Sequence, residues 1–354
     1  MMRTRIAVVG CGHLGQIHAR LLAGRDDVEL VAVVDPVAEA RDRVAAAHGC
    51  RSLAEPRDLV GLVDAAVVAA PTGRHAAVSV PLLEAGIDLL VEKPIAADVE
   101  EARAIVVAAR RHGRIVAVGH VERFNPAWRT AVARIGRPVV VESARLAPFT
   151  FRSLDVGVVH DLMIHDIDLV LSLEPGRLER VEAQAIMATG GHEDAVRARL
   201  VFASGLVADL SASRIHPVVR RSLLMWSEAG IASVDFNAKT VEIVAPSGAV
   251  RDGTFTAEAV PPAERGVAKE RFFSDILPLE RVPVPDANAI AGEHDDLLEA
   301  VRTRRQPLVP AAAGAAAVEI AARILEAVET TRFGRVAGGR PAGTIPLYPR
   351  RKTA

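Results

Sequence analysis

Aromatic side chains are scarce in this chain of 354 residues: one Tyr, two Trp and nine Phe make up 3% of it. Its cores must therefore be built from Ala, Val, Leu and Ile, and half of all residues are hydrophobic. Cysteine is almost as rare. Cys11 and Cys50 are too few for a disulfide framework and suit a reduced, cytoplasmic protein. Neither sign of charge dominates, with a formal net charge of −1. No nucleic acid and no anionic membrane surface is expected as a partner. No run approaches the roughly 20 apolar residues that cross a bilayer. Arg3 and Arg5 precede a short apolar stretch that runs straight into glycines, which reads as a strand entering a turn and not as a signal peptide. There is no internal repeat. The length suffices for two domains with two cores.

Strand and helix patterns alternate through the first 120 residues. Stretches 5–9, 29–34, 65–69, 87–91 and 115–118 are short apolar runs. Between them, 13–23, 37–48, 74–85 and 98–112 have helical spacing, the last with Asp98 as N-cap and Gly113 just past its end. Continuous apolar strands separated by helices predict a parallel sheet covered on both faces, with ligands at the carboxyl ends of the strands.

Gly10-Cys11-Gly12-His13-Leu14-Gly15 falls at the first strand-to-helix turn. A lone glycine pattern is weak evidence, but here a strand precedes it, a helix follows, and Asp35 lies about 20 residues beyond the last glycine. Gly10 permits the tight turn, Gly12 lets backbone approach a pyrophosphate, and Gly15 lets helix pack on strand. The helix N-terminus favours the phosphate charge. Asp35 can accept both ribose hydroxyls and would repel a 2′-phosphate, so the expected cofactor is NAD. Arg41 and Arg43 could soften that exclusion of NADP, but read as solvated helix charges. Pro71 and Thr72 follow the third strand, where the chain passes the adenosine ribose, and His75 opens the next helix.

Glu92-Lys93-Pro94 closes the strand over 87–91. Pro94 stops the strand, and Lys93 would project from the sheet end into the cofactor crevice as a proton carrier. The competing reading is a solvated Glu–Lys pair of little consequence.

Beyond residue 120 the alternation stops. Asn125 reads as the N-cap of a helix over 126–134. Stretches 139–146, 178–189, 196–202, 206–213, 220–227, 231–236 and 240–244 read as strands joined by Gly-containing turns, hence a largely antiparallel sheet. The expected architecture is an α/β Rossmann domain over 1–120 plus an α+β domain with an open, mostly antiparallel sheet over 121–310. A helix over 311–331 is expected to return to the first domain, and 334–354 to form an extended tail. A sheet with one uncovered face predicts a homodimer or homotetramer.

A helix over 157–173 carries Asp161 and His165. Residues four apart differ by about 40° on an α-helix, so the two share a face, with Asp168 near the same stripe. Asp161 can hold the His165 ring and raise its basicity. Leu162, Ile164, Ile167 and Leu169 make the helix largely buried. Its charges read as functional, or alternatively as a structural ion-pair network. A catalytic metal is the other rival, because His160, Asp161, His165, Asp166 and Asp168 lie within nine residues. His160 and Asp166 point elsewhere on a regular helix, and no second motif with ligand spacing exists. No metal is expected.

Together, Gly10-x-Gly12-x-x-Gly15, Glu92-Lys93-Pro94 and Gly157 followed by Asp161-x-x-x-His165 resemble the glucose-fructose oxidoreductase / inositol dehydrogenase / rhizopine catabolism (Gfo/Idh/MocA) family over roughly residues 4–331. That resemblance implies NAD-dependent oxidation of a ring hydroxyl of a sugar or cyclitol, with Lys93, Asp161 and His165 as the catalytic groups. The stretches 119–126, 143–149 and 161–168 look in addition like the branch that oxidises the 3-hydroxyl of UDP-N-acetylglucosamine in lipid A precursor synthesis. His160 departs from that branch, which places an apolar residue there. A nucleotide sugar needs an anion site, for which Arg123, Arg145 and Arg214 are candidates, with Asn125 beside them. The alternatives are a dehydrogenase of inositol, a free sugar or UDP-N-acetylglucosaminuronic acid, and a non-catalytic NAD-binding regulator on the same fold.

Overall fold

The computed structural model describes residues 3–151, 156–330 and 344–346. The chain divides into two compact units. One comprises Met1–Phe124 with Asn288–Arg323, the other Asn125–Ala287 with Ile324–Ala354.

The first unit is a six-stranded sheet of β1 (Thr4–Val9), β2 (Val28–Val34), β3 (Arg51–Leu53), β4 (Ala65–Val68), β5 (Asp88–Glu92) and β6 (Val116–Gly119), in the order β3-β2-β1-β4-β5-β6. Every pairing is parallel. The connecting helices are α1 (His13–Ala23), α2 (Ala38–His48), α3 (His75–Glu84) and α4 (Val99–Arg111). Strands β4, β5 and β6 are buried along their whole length, as a sheet covered on both faces requires. The order of strands reverses between β1 and β4, which opens a crevice at their carboxyl ends. Strand β3 is not legible in the sequence, since it is three residues long and mostly exposed. Asp98 caps α4 as expected, accepting the Glu101 N–H at 2.8 Å.

The second unit opens with α5 (Pro126–Ile135), capped by Asn125, whose Oδ1 accepts the Ala127 N–H at 3.0 Å. There follow β7 (Val140–Leu146), a π-turn over Val159–Met163 that runs into α6 (Ile164–Leu171), β8 (Leu178–Met187), β9 (Ala195–Phe202), β10 (Val207–Ser213), β11 (Arg220–Ser227), β12 (Gly230–Asp235) and β13 (Thr240–Val244). The stretch 250–290, irregular by sequence, includes α8 (Arg265–Glu270) and β14 (Leu279–Val282), preceded by α7 (Gly248–Arg251). With β15 (Thr344–Pro346) these strands form one nine-stranded sheet, ordered β14-β13-β12-β11-β7-β10-β9-β8-β15. It is mostly antiparallel, as the patterning implied, but β7–β10 and β8–β15 pair in parallel. The extended tail expected over 334–354 otherwise lies outside the described residues.

Alternation along these strands gives the sheet two unlike faces. Val141, Ser143 and Arg145 of β7 are buried, and α5 and α6 pack on that side. The other face carries Leu279, Val244, Ile231, Trp226, Val140, Val207 and Val201 in register across seven strands. They make one continuous apolar row, with Trp226 and Leu279 each 43% exposed. The next row over holds Arg281, Glu242, Glu142, Asp209 and Arg199.

The chain then returns to the first unit as α9 (Ala289–Thr303) and the part of α10 (Ala311–Thr330) up to Arg323. The sequence placed residues 289–310 with the second domain, but α9 packs against α1, β5 and β6, and Leu297 and Leu298 enter the same core as Ile6 and Val8. Arg304, just past α9, donates to Asp88 at 2.5 Å and to the Gly113 carbonyl at 2.7 Å. Early in α10, Gly314 lies against Val118 and Ile95, where a Cβ would come within 2.8 Å of Val118.

Candidate active site

The glycine loop in the first unit is shaped by contact and by open space. Gly10 has φ +99°, and a Cβ there would stand 2.5 Å from the Ala69 carbonyl oxygen. At Gly15 a Cβ would lie 1.8 Å from the Gly10 carbonyl oxygen, so helix α1 can follow the loop only with glycine there. Nothing lies within 4 Å of the Cβ position at Gly12. That bare backbone opens α1, with exposed His13 and Leu14 next to it, and a pyrophosphate fits such a cradle. Asp35, at the end of β2, faces the loop and accepts the Cys11 N–H at 2.8 Å and the Val37 N–H at 2.9 Å. Arg41 donates to the Asp35 and Pro36 carbonyls, both at 3.2 Å, and so clasps this turn. Burial pushes the Cys11 thiol up to about 12, so the cysteine inside the loop is an inert apolar filler.

Pro71 caps a short turn over Thr72–Arg74 that leads into α3. The His75 ring lies between two strand ends, 2.8 Å from the Ala70 carbonyl and 2.9 Å from the Pro94 carbonyl. It is buried, so its position in the structure is that of a brace beneath the loops. Lys93 follows directly on β5, is half-buried, and donates its N–H to the Glu92 side chain at 3.2 Å. The Lys93–Pro94 peptide is cis. Lys93 is also the only lysine before residue 239, in a chain whose other early cations are arginines. Arginine stays charged, whereas lysine can exchange a proton at working pH.

The surroundings of Glu92 leave no mark in the sequence. Its carboxylate is buried, and Oε1 meets His18 Nε2 at 2.7 Å. A Cβ on Gly119 of the neighbouring strand would stand 2.9 Å from Oε2. Burial alone would raise the Glu92 carboxyl, but the His18 hydrogen bond and charge, together with Lys93, outweigh it and hold the group below the ordinary glutamate value. Only a three-dimensional contact between α1 and β5 makes this pair, so no spacing in the sequence announces it.

In the second unit, Asp161 and His165 do not sit on a regular helix. The Ile164 N–H reaches back to the Val159 carbonyl across the π-turn, which places Asp161 in a wider turn and His165 in α6. The 40° separation expected from four uniform steps therefore does not apply. A π-turn inside a helix is often found where side chains must be re-aimed for function. Both residues are half-buried. The start of the turn is held by Glu193, whose Oε1 accepts the Val159 N–H at 3.1 Å and whose carbonyl accepts the Val158 N–H at 3.0 Å. Burial raises the Glu193 carboxyl. Burial, with His192 nearby, lowers His160.

The arginines proposed for an anion are engaged within their units. Arg145 and Asp166 form a buried ion pair at 2.8 Å. Arg214 pairs with Asp194 at 2.8 Å and donates to the Val156 carbonyl at 2.9 Å. The charge of each is thus balanced by a carboxylate that the sequence did not assign. Arg123 donates to the Leu308 carbonyl at 3.2 Å, and Asn125 serves as the cap of α5. Among the described residues, no three His, Cys, Asp or Glu side chains come together as a metal site, and no helix is long and apolar enough to cross a membrane.

Comparison with known proteins covers almost the whole chain. Residues 4–120 match a model of an oxidoreductase family with an NAD-binding Rossmann fold, and residues 107–232 match a GFO/IDH/MocA C-terminal domain. The UDP-N-acetylglucosamine 3-dehydrogenase of Acidithiobacillus ferrooxidans is 34% identical over 331 residues, 93% of this chain and 98% of that one. A solved structure of that enzyme superposes with a TM-score of 0.80 at 33% identity, over 93% of this chain and 99% of that one. The inositol 2-dehydrogenase of Rhizobium meliloti is 29% identical, over 71% of this chain and 81% of its own length.

Proposed function

The chain belongs to the GFO/IDH/MocA family of NAD-dependent oxidoreductases, and from that premise we propose that it oxidises the 3-hydroxyl of UDP-N-acetylglucosamine in lipid A precursor synthesis. What carries the reading is the presence of Lys93 at the end of β5 and of Asp161 and His165 around the π-turn. They stand in a chain that is alike over nearly its full length to an enzyme of that activity.

Oxidising a secondary alcohol removes a proton from oxygen and a hydride from carbon. NAD, when bound, supplies the hydride acceptor. Gly10, Gly12 and Gly15, with His13 and Leu14, receive its pyrophosphate, and Asp35 accepts the ribose hydroxyls. Pro71, Thr72 and His75 flank the adenosine side, and Glu92 and Lys93 the working end. His165 or Lys93 takes the hydroxyl proton, and Asp161 orients the imidazole that receives it. Arg123, Asn125, Arg145 and Arg214 complete the substrate-binding set.

One observation favours a second substrate class. Arg145 and Arg214 already neutralise Asp166 and Asp194, so neither brings an unbalanced positive charge to a diphosphate. Inositol or a free sugar needs none. Screening UDP-sugars, free sugars and cyclitols for NADH formation separates the two. Preferential turnover of UDP-N-acetylglucosamine supports the proposal, and preferential turnover of a cyclitol overturns it. Tight NAD binding without reduction in any mixture would mark a regulator instead.

For assembly, the proposal is a cytoplasmic homodimer or homotetramer joined through the uncovered sheet face. Its apolar row, flanked by a row carrying both Arg and Glu, can meet its own copy about a two-fold axis with opposite charges facing.

A further inference from the structure

His18 lies between Glu92 and a third buried group. His18 Nδ1 is 2.8 Å from His294 Nε2, His18 Nε2 is 2.7 Å from Glu92 Oε1, and both histidines are fully buried. His294 Nδ1, at the far end, has no hydrogen-bond partner among the described residues. The three groups come from α1, β5 and α9 of one unit, two of them inserted into its aliphatic interior. Two imidazoles are costly there unless they do something an apolar pair could not.

Counting protons restricts what this array can be. Glu92 as a carboxylate only accepts, so His18 Nε2 carries a hydrogen. Two arrangements then remain. In one, His18 is neutral, its Nδ1 accepts from His294 Nε2–H, and His294 Nδ1 holds a bare lone pair. In the other, His294 carries its hydrogen on Nδ1, its Nε2 accepts from His18 Nδ1–H, and His18 is an imidazolium against Glu92. Both arrangements keep every hydrogen bond, and they differ by one proton. A proton added at His294 Nδ1 displaces the Nε2 proton onto His18, with no movement of heavy atoms.

We propose that Glu92, His18 and His294 form a two-state proton relay that takes up one proton at His294 Nδ1 and delivers its charge to His18, beside the residue that precedes Lys93. The direction of transfer follows from the surroundings. At His18 the positive charge faces a carboxylate at 2.7 Å. At His294 it cannot rest, since burial above all, then His18 and Arg25, lowers that ring to about 3. The other ionisable groups on α9 are Glu293, Asp295, Asp296, Glu299 and Arg302, and the elements packed against it carry His13, Arg20, Asp88, Glu122 and Arg123, with Arg25 and His120 just beyond their ends.

The use of the relay rests on the dehydrogenase reading. Hydride transfer to a nicotinamide held beside Glu92 and Lys93 would remove one positive charge there. If the relay takes up one proton at that moment, the Glu92–His18 pair loses one negative charge, and the buried charge near Lys93 stays constant. The oxidation releases one proton for each hydride moved, so the balance closes without another reactant.

Nitrogen-15 NMR of the full chain labelled at histidine tests the relay without any turnover. Expected is a single midpoint at which the His18 and His294 resonances move together. That midpoint should be higher in the NADH complex than in the NAD⁺ complex by about one unit, the order of the effect of a nearby unit charge. His294→Gln keeps a hydrogen bond to His18 but cannot pass a proton, and Glu92→Gln removes the counter-charge, so each should abolish the transition at His18. The proposal is overturned if wild-type His18 and His294 titrate separately or not at all, which decides the matter even where a variant does not fold. An unchanged His18 transition in His294→Gln overturns it as well, and an equal midpoint with both cofactor forms overturns the coupling to chemistry. A chain that oxidises no sugar would still show the shared midpoint, so failure of the substrate reading leaves a different signature.

Discussion

Gly157 and the Glu193 carboxylate compete for one small volume: a Cβ on Gly157 would stand 2.0 Å from Glu193 Oε1. The same oxygen accepts the Val159 N–H that begins the π-turn. Gly157→Ala should therefore push the carboxylate aside and loosen the turn that carries Asp161. Turnover should fall about 10- to 100-fold, the scale of a misplaced catalytic group, as should that of Glu193→Ala. Glu193→Gln keeps an accepting oxygen and should stay near wild type. Steady-state rates of the three variants check this, and an equal loss in Glu193→Gln would mean that capping is not what Glu193 contributes.

Lys93→Met and His165→Asn should each cost on the order of 10²–10⁴ in turnover, the usual effect of losing a general base. NAD dissociation constants should hardly change in His165→Asn. Asp161→Asn should lose less and shift the pH–rate profile, because it tunes the base without carrying the proton. Near-normal rates in His165→Asn at all pH values would leave Lys93 as the base.

Asp35 holds two backbone N–H groups of the cofactor loop and its neighbour. Asp35→Ala should weaken NAD by about 10- to 100-fold, the worth of hydrogen bonds to a charged group, and relax discrimination against NADP. Calorimetric titration with both cofactors measures it. A wild-type preference for NADP would refute the role given to Asp35.

Asp194 ties three parts of the second unit together, accepting the Ala188 and Thr189 N–H groups at 2.6 and 2.8 Å and pairing with Arg214. Burial alone would raise its carboxyl, but those N–H groups and Arg214 hold it below the ordinary aspartate value. Its folded pKa is depressed, so its contribution is complete above the unfolded value near 3.9. It is lost as pH falls below that and through the folded value. Asp194→Ala should destabilise by about 3–5 kcal/mol at neutral pH, because Arg214 stays buried without its partner. Urea unfolding at neutral and acid pH should show the gap between variant and wild type closing as pH falls.

Ile231 and Trp226 are paired opposite each other in the apolar row of the open face. Ile231→Lys or Trp226→Glu should reduce the assembly to monomer without unfolding it, since both side chains are exposed in the single chain. Light scattering at micromolar concentration reads the mass. A monomeric wild type would remove the proposed interface.

The parts of this protein legible in its sequence are those fixed by neighbours along the chain. The glycine loop, the Asp98 and Asn125 caps and the Glu92-Lys93-Pro94 strand end each occupy a few consecutive residues whose backbone demands leave a mark on residue type. The parallel pairing of β7 with β10 left none, because β7 and β10 lie about 60 residues apart and either direction satisfies the same alternation. The π-turn was invisible for a related reason. Val159–Met163 has ordinary helical spacing, and Glu193, which accepts its first N–H, lies some 30 positions later. The partners of Arg145, Arg214 and Glu92 are likewise distant in sequence, so a paired arginine and one waiting for an anion read the same.

The first unit is assembled from residues on either side of most of the second one, and this has a consequence for how the protein is made. A ribosome that has finished Phe124 has released every strand of the parallel sheet but neither α9 nor the early turns of α10. The roughly 200 residues up to Arg323 take on the order of 10–40 s to synthesise. For that interval the nascent half-domain shows uncovered aliphatic surface beside β5 and β6, and Glu92 and His18 wait for His294. Birth of the fold is thus a vectorial problem. The earliest segment emerges first yet waits for α9 and the early turns of α10 to mature, and chaperone demand should be concentrated in the window before those helices leave the tunnel.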